Sequence, residues 1–240
     1  KMNPLYLSII VPAYNEEKRL PGSLKKIKEF LSAQSFSSEI LVVDDGSVDR
    51  TAELAAAELT GFSGGVLRNP GNQGKGYSVR NGMLAAQGKY VLFSDADLST
   101  PIEEVLPFLK HLEKGADVVI GSRGLDSSSV EIRQNPLREF MGRTFNCVAR
   151  LLTFRGVEDS QCGFKAFTQK AAKDLFSRQT LKGFGFDVEI VYLAQKLGYK
   201  LLECPVVWRN AEGSRVRIFS DSLNMFLDLL RIRWAHRSLK

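Results

Sequence analysis

The tightest constraint on how this chain folds is the alternation of short apolar runs with segments of helical spacing. Runs at Leu5–Val11, Glu39–Val43, Val66–Asn69, Tyr90–Ser94, Asp117–Ile120 and Leu201–Val207 have the length and composition of strands. Helix-like segments separate the first five, which predicts an α/β fold with a mainly parallel sheet. Leu20–Leu31 places Leu24, Ile27, Phe30 and Leu31 on one face. Thr51–Leu59 is alanine-rich behind the capping residues Asp49-Arg50-Thr51, and Ile102–Leu112 follows the helix-start signal Ser99-Thr100-Pro101. Past Gly121 the pattern changes: Asp126-Ser127-Ser128-Ser129 reads as a mobile loop, and helical spacing returns over Pro136–Phe154, Gln169–Phe176 and Asp187–Leu197.

Chemistry concentrates where these runs end. Tyr90-Val91-Leu92-Phe93 leads into Ser94-Asp95-Ala96-Asp97, so a buried strand there delivers two carboxylates to the sheet edge at which open α/β folds bind ligands. Asp95 and Asp97 can share a hard dication, Mg2+ or Mn2+, that completes its shell with water and substrate phosphate oxygens. A nucleotide-linked donor is the implied partner. An isolated Asp-x-Asp also occurs as a helix cap or a solvated loop. A second acidic end, Asp44-Asp45-Gly46-Ser47 after Ile40-Leu41-Val42-Val43, favours a shared crevice.

Gly71-Asn72-Gln73-Gly74-Lys75-Gly76 lacks both the Walker spacing and the dinucleotide fingerprint. It is either a tight turn before a helix or a loop whose Lys75 and backbone N–H groups meet a nucleotide's ribose or phosphates.

The 33 Lys and Arg against 27 acids, with a pI near 9.2, favour anionic partners. No nucleic-acid motif is present, and the strand-end carboxylates would repel a polyphosphate backbone, so nucleic acid is not expected. The spacing of Cys147, Cys162 and Cys204 suggests neither a zinc site nor a disulfide framework, and a reducing compartment is expected. The run Leu7 to Val11 is too short for a signal peptide, and no stretch reaches the roughly 18 apolar residues that span a bilayer. The chain is expected to be soluble or to lie on a membrane.

Taken together, Ile10-Val11-Pro12-Ala13-Tyr14-Asn15-Glu16, Val43-Asp44-Asp45-Gly46-Ser47, Asn72-Gln73-Gly74-Lys75-Gly76 and Ser94-Asp95-Ala96-Asp97 resemble family-two glycosyltransferases of the GT-A fold. Asp159-Ser160-Gln161-Cys162-Gly163-Phe164-Lys165, Phe186-Asp187-Val188-Glu189 and Trp208 through Gly213-Ser214-Arg215 look like the dolichyl- or polyprenyl-phosphate β-glucosyltransferases, with the dolichyl-phosphate mannose synthases as close relatives.

The resemblance implies a Rossmann-like GT-A domain over 1–219, its nucleotide-sugar half about 1–122 and its acceptor half about 123–219. It implies that Pro12, Ala13, Tyr14 and Glu16 line a uridine pocket and that Asp44, with Asp45 beside it, reads the base. Asp95 and Asp97 match the metal and diphosphate motif. Where mannose synthases carry a Gln that reaches the metal, this chain has Ser99.

Transfer with inversion to a lipid phosphate needs no strong base, because the acceptor is already ionised. It needs a cationic cradle. Six arginines, Arg123, Arg133, Arg138, Arg143, Arg150 and Arg155, face three acids, Asp126, Glu131 and Glu139, over 123–155. Arg123 and Arg138 match the family's acceptor residues. For Arg143, Arg150 and Arg155 a solvated helix face is the simpler account. Asp159 matches the acid beside the acceptor, with positioning or oxocarbenium stabilisation its expected role and a loop cap the competing one. Arg215 and Arg217 either close over the diphosphate or form a basic loop at a membrane.

The segment 220–240 reads as an amphipathic helix. Leu223, Phe226, Leu227, Leu230 and Trp234 form a face, Met225, Leu229 and Ile232 broaden it, and Arg231, Arg233, Arg237 and Lys240 crowd its end. Together with Pro136–Phe154 it could dock on a membrane interface, or it packs on the domain. The expectation is a metal-dependent inverting transfer of glucose from UDP-glucose to dolichyl or polyprenyl phosphate, by a peripheral protein on the cytoplasmic face of a membrane. Rivals are transfer from GDP-mannose to the same acceptor and a soluble enzyme extending a saccharide.

Overall fold

The computed structural model describes residues 4–125, 128–132, 148–150, 152–209 and 218–239. Nine strands carry the architecture of these residues: β1 (Leu7–Ala13), β2 (Ser38–Asp44), β3 (Gly64–Arg68), β4 (Tyr90–Ser94), β5 (Val118–Ser122), β6 (Ser129–Ile132), β7 (Phe164–Thr168), β8 (Leu201–Pro205) and β9 (Val207–Arg209). The helices are α1 (Leu20–Ser32), α2 (Thr51–Glu58), α3 (Lys75–Ala85), α4 (Val105–Glu113), α5 (Gln169–Arg178), α6 (Phe186–Lys196) and α7 (Ile218–Ala235).

Seven strands form one sheet in the order β3-β2-β1-β4-β7-β5-β8. All its strand pairs are parallel except those of β7, which runs antiparallel between β4 and β5. Strands β6 and β9 form a separate parallel pair.

Because side chains alternate across a strand, each strand feeds both faces. Ile10, Val91, Phe93 and Phe167 pack with residues of α3, α5, α6 and α7. Ile9, Val11, Leu92 and Phe164 pack on the opposite side with α1, α2 and α4. This two-sided burial is why the sequence shows apolar runs rather than strict alternation.

Several local readings change. Strand β7 was not expected, because Lys165 interrupts its apolar run. Strand β3 starts at Gly64, where φ is +114° and an added Cβ would lie 2.0 Å from the Ile40 carbonyl oxygen, so glycine is required for the pairing. The single strand expected over Leu201–Val207 divides between the main sheet and the β6 pair, and Ser129 opens β6 rather than extending a loop. A 3-10 turn, Ile102–Glu104, precedes α4. Of the helix expected at Pro136–Phe154, 148–150 and 152 are helical, with Ala149 and Phe154 buried, and most of the rest lies outside the described residues.

Helix α7 does not present one broad apolar face. Leu229 and Ile232 are buried in the core, and His236, just beyond the helix, bonds the buried Glu189 carboxylate at 2.7 Å. Leu227, Leu230 and Trp234 point outward, the last two 59% and 69% exposed. The helix is thus packed on the domain and still carries an outward apolar stripe.

Candidate active site

Chain order reverses between β1 and β4: β1 continues to β2 and β3 on one side, while β4 lies on the other. The carboxyl ends of these strands bound the crevice where such folds bind ligands. The register Ala13↔Asp44 sets two of the ends side by side.

Asp95 and Asp97 lie directly beyond β4. The Asp95 N–H donates to the Gly163 carbonyl at 3.1 Å, and the Ser99 N–H donates to Asp97 Oδ1 at 3.0 Å. Between them Leu98 sits at φ 48°, a left-handed conformation rare for a bulky residue and held by these bonds. Ser99 offers its carbonyl to the Arg209 N–H at 2.8 Å. A Cβ on Gly163 would lie 1.9 Å from Asp95 Oδ2, so a bare backbone makes room for the carboxylate.

Each acid faces a cation. Lys75 Nζ lies 2.7 Å from Asp95 Oδ1, and Arg19 Nη1 lies 4.0 Å from Asp97 Oδ2. Arg19 also grips both oxygens of Glu16, at 2.6 and 2.7 Å, and this hydrogen bonding raises the guanidinium pKa against the effect of burial. Arg19 escaped the sequence reading because nothing local marks it.

The wall between β1 and β2 is stitched by side chains. The Asn15 N–H donates to Ser47 Oγ at 2.9 Å, the Val48 N–H to Asn15 Oδ1 at 2.9 Å, and the Glu16 N–H to Thr51 Oγ1 at 2.7 Å. Pro12 and Ala13 are buried beneath this loop, and Tyr14 is half-buried. Asp44 is fully buried. Its Oδ1 accepts from the Ser47 N–H at 3.2 Å, whereas Oδ2 receives no hydrogen bond, although Arg68 Nε stands 3.2 Å away off-axis.

Asp45 differs from its neighbour. It accepts from Asn69 Nδ2 at 2.8 Å, from the Gln73 N–H at 3.0 Å and from the Gly74 N–H at 2.8 Å. Asp45 therefore builds the 71–74 loop, and those two N–H groups are not open to a phosphate. The expectation that the loop's amides meet the nucleotide is corrected to this extent: Lys75 reaches Asp95, while the amides of Gln73 and Gly74 are taken by Asp45.

On the other side of β4, Arg123 follows β5. Its Nε and Nη2 bond the Asp159 carboxylate at 2.6 and 2.9 Å, and its own N–H adds a third bond at 3.1 Å. The guanidinium lies 5.5 Å from the Trp208 ring centroid. Burial alone would push the Asp159 carboxyl pKa up; the charge and hydrogen bonds of Arg123 overcome that and hold it below the usual range. Both Asp159 oxygens are engaged by Arg123 and the lowered pKa makes the carboxylate a weak base, so it orients the guanidinium. Glu203 on β8, which the sequence did not single out, accepts from the Asp159 N–H at 2.8 Å and holds the loop. Arg138 and Arg215, with Arg133, Arg143 and Arg217, lie outside the described residues. Arg150 pairs with exposed Glu158 at 2.6 Å.

Behind the acids lies a charge layer that the sequence did not disclose. Lys165, 1% exposed on β7, donates from Nζ to the Cys162 carbonyl at 2.6 Å and to Asp187 of α6. Burial raises the Asp187 carboxyl pKa despite the pull of Lys165 and Lys75. Glu189, two residues along, accepts from the N–H groups of Thr180 and Leu181, each at 2.9 Å. Cys162 and Cys204 are unpaired and buried, and burial pushes the Cys162 thiol up to about 12, which makes it inert.

The profile described as Glycosyl transferase family 2 matches residues 8–176. The dolichyl-phosphate beta-glucosyltransferase of Dictyostelium discoideum is 38% identical over 97% of this chain and 75% of its own length. The proteins of the same name from Homo sapiens and Saccharomyces cerevisiae are 35% and 31% identical over 95% and 97% of this chain, and over 74% and 75% of their own lengths.

Among solved structures, the UDP complex of glucosyl-3-phosphoglycerate synthase from Mycobacterium tuberculosis superposes with TM-score 0.69 at 22% identity, over 95% of this chain and 80% of that one. Mannosyl-3-phosphoglycerate synthase from Rubrobacter xylanophilus gives 0.71 at 18%, over 98% and 76%. These likenesses establish the GT-A fold. With strand-end acids in the switch-point crevice and the family match running through β1 to α5, this chain belongs to glycosyl transferase family 2 and is a glycosyltransferase.

Proposed function

We propose that this enzyme transfers glucose from UDP-glucose to dolichyl or another polyprenyl phosphate, with inversion and with Mg2+ or Mn2+. The observation that carries this reading is the 31–38% identity, over nearly the whole chain, to relatives named dolichyl-phosphate beta-glucosyltransferase. The site supports it from both sides. The unbonded Oδ2 of buried Asp44 is an acceptor suited to a ring N–H of uracil. Two part-exposed carboxylates, one with an ammonium standing in as its cation and kept in place by a glycine cradle, fit a hard dication that takes its other ligands from diphosphate and water. The Mycobacterium tuberculosis glucosyl-3-phosphoglycerate synthase in complex with Mn2+, UDP-glucose and glycerol 3-phosphate shares this fold at TM-score 0.68.

In this mechanism Asp95 and Asp97 would hold the dication. When bound, it neutralises charge that builds on the departing diphosphate. Asp44 and the β1 loop seat the base, and Arg123, aligned by Asp159, holds the acceptor phosphate. One phosphate oxygen attacks the anomeric carbon from the face opposite the diphosphate, so a carbon–oxygen bond forms as another breaks and the configuration inverts. The phosphate is ionised near neutral pH, its second pKa being about 6, so no side chain has to remove a proton.

The test is incubation with radiolabelled UDP-glucose or GDP-mannose and a polyprenyl phosphate, with and without Mn2+. Labelled lipid is expected from UDP-glucose and only with metal. Lipid labelled from GDP-mannose instead would reassign the donor, and label appearing only in a water-soluble saccharide would remove the lipid acceptor.

The same proposal places the enzyme on the cytoplasmic face of a membrane, as a peripheral protein. No helix of the described residues is long and apolar enough to cross one. Of the five exposed large apolar side chains among the described residues, Leu227, Leu230 and Trp234 lie on α7, and Arg237 stacks on Trp234 at 5.0 Å. A basic and aromatic rim around an apolar stripe suits an anionic bilayer surface. Replacing Leu230 and Trp234 together by Glu is expected to weaken sedimentation with phosphatidylserine vesicles by about tenfold or more, since apolar burial is lost and negative charge added. Unchanged sedimentation would move the docking surface elsewhere.

A further inference from the structure

Lys75 occupies an unusual position. It is the first residue of α3, and its ammonium meets Asp95 Oδ1 at 2.7 Å while lying 5.3 Å from the Phe93 ring centroid. Asp95 has little freedom to move away. Its N–H is tied to the Gly163 carbonyl, and its carboxylate fills the space where a Gly163 side chain would be. Beneath it, Lys165 fixes the Cys162 carbonyl and Asp187, so the turn carrying Gly163 rests on a buried ion pair.

We propose that Lys75 is the resident counter-ion of the dication site, neutralising Asp95 before the donor arrives and passing to the donor's diphosphate as the dication takes its place. This rests on the reading that Asp95 and Asp97 hold a dication. An ammonium and a dication on one carboxylate oxygen repel each other, so the two occupants exclude one another at Asp95. The diphosphate, with its greater negative charge, draws the ammonium off. Metal binding thereby becomes contingent on nucleotide, a coupling between two ligands carried by one side chain. Without the lysine, the neighbouring carboxylates would repel each other with no cation between them. With it, that repulsion is offset at Asp95 Oδ1.

The experiment titrates Mn2+ against wild type, Lys75→Met and Lys75→Arg by electron paramagnetic resonance of free Mn2+, with and without UDP. Methionine keeps an unbranched apolar stem, one atom shorter, and removes the charge. Lys75→Met is expected to bind Mn2+ alone at least about tenfold more tightly than wild type, and the strengthening by UDP is expected to shrink by a similar factor. Lys75→Arg, still cationic, is expected to keep the wild-type pattern. Equal Mn2+ affinity of Lys75→Met and wild type without UDP would overturn the proposal while leaving the dication reading intact. No Mn2+ binding by wild type even with UDP would remove both. A urea midpoint checks each fold, and Lys75→Gln serves if the methionine variant fails to fold.

Discussion

Replacing Asp97 by Asn is expected to lower lipid-sugar formation by on the order of 10²–10³, the loss typical when one group facing developing charge is removed. The substitution is close to isosteric, and an asparagine Oδ1 can still accept from the Ser99 N–H that closes the turn around Leu98. What disappears is a negative charge beside Asp95, leaving Arg19 with Glu16 as its bidentate partner. The measurement is initial rate against Mn2+ concentration, alongside a thermal melt. A variant that melts like wild type and needs far more metal supports the assignment. Wild-type rates at all metal concentrations would defeat it.

The second large effect lies in the buried layer. Asp187→Ala is expected to destabilise the fold by about 3–5 kcal/mol, because it leaves the Lys165 ammonium uncompensated in the core. For scale, a fully buried Phe or Leu side chain contributes about 1.5–3 kcal/mol. The double variant Lys165→Met with Asp187→Leu removes both charges and is expected to recover most of that loss, since apolar replacement of a buried pair is often close to neutral. Urea denaturation reads both. If Asp187→Ala unfolds at the wild-type midpoint, the pair carries no such weight. A recovered double variant that still transfers poorly would tie the layer to the placement of Asp95 and Lys75 as well as to stability.

Much of this arrangement was legible before any coordinates. The ends of β1, β2 and β4 were readable because their apolar runs stop at Pro12-Ala13, Asp44 and Ser94, and the acids that follow are local in the chain. Strand β7 was not, because Lys165 is its second residue and a lysine in an apolar run looks like the end of one. The ion pair with Asp187, 22 residues away, and a hydrogen bond to the Cys162 carbonyl make its burial tolerable. The helical pattern of 220–240 was visible, but which of its apolar residues enter the core was not. Leu229 and Ile232 went inward and Leu230 and Trp234 outward because His236 and Glu189 set the rotation of the helix. Asp44 and Asp45 looked alike in sequence, yet one keeps a buried oxygen without a hydrogen bond and the other builds a loop.

From the residue order alone came the α/β alternation, the family and the acids of the crevice, since each depends on spacing along a single strand or loop. Only the folded chain decided which cation meets which acid: Lys75 with Asp95, Arg123 with Asp159, Lys165 with Asp187. Those pairings join residues 20 or more positions apart. They are set by strand register and helix rotation, which packing determines and no local pattern encodes.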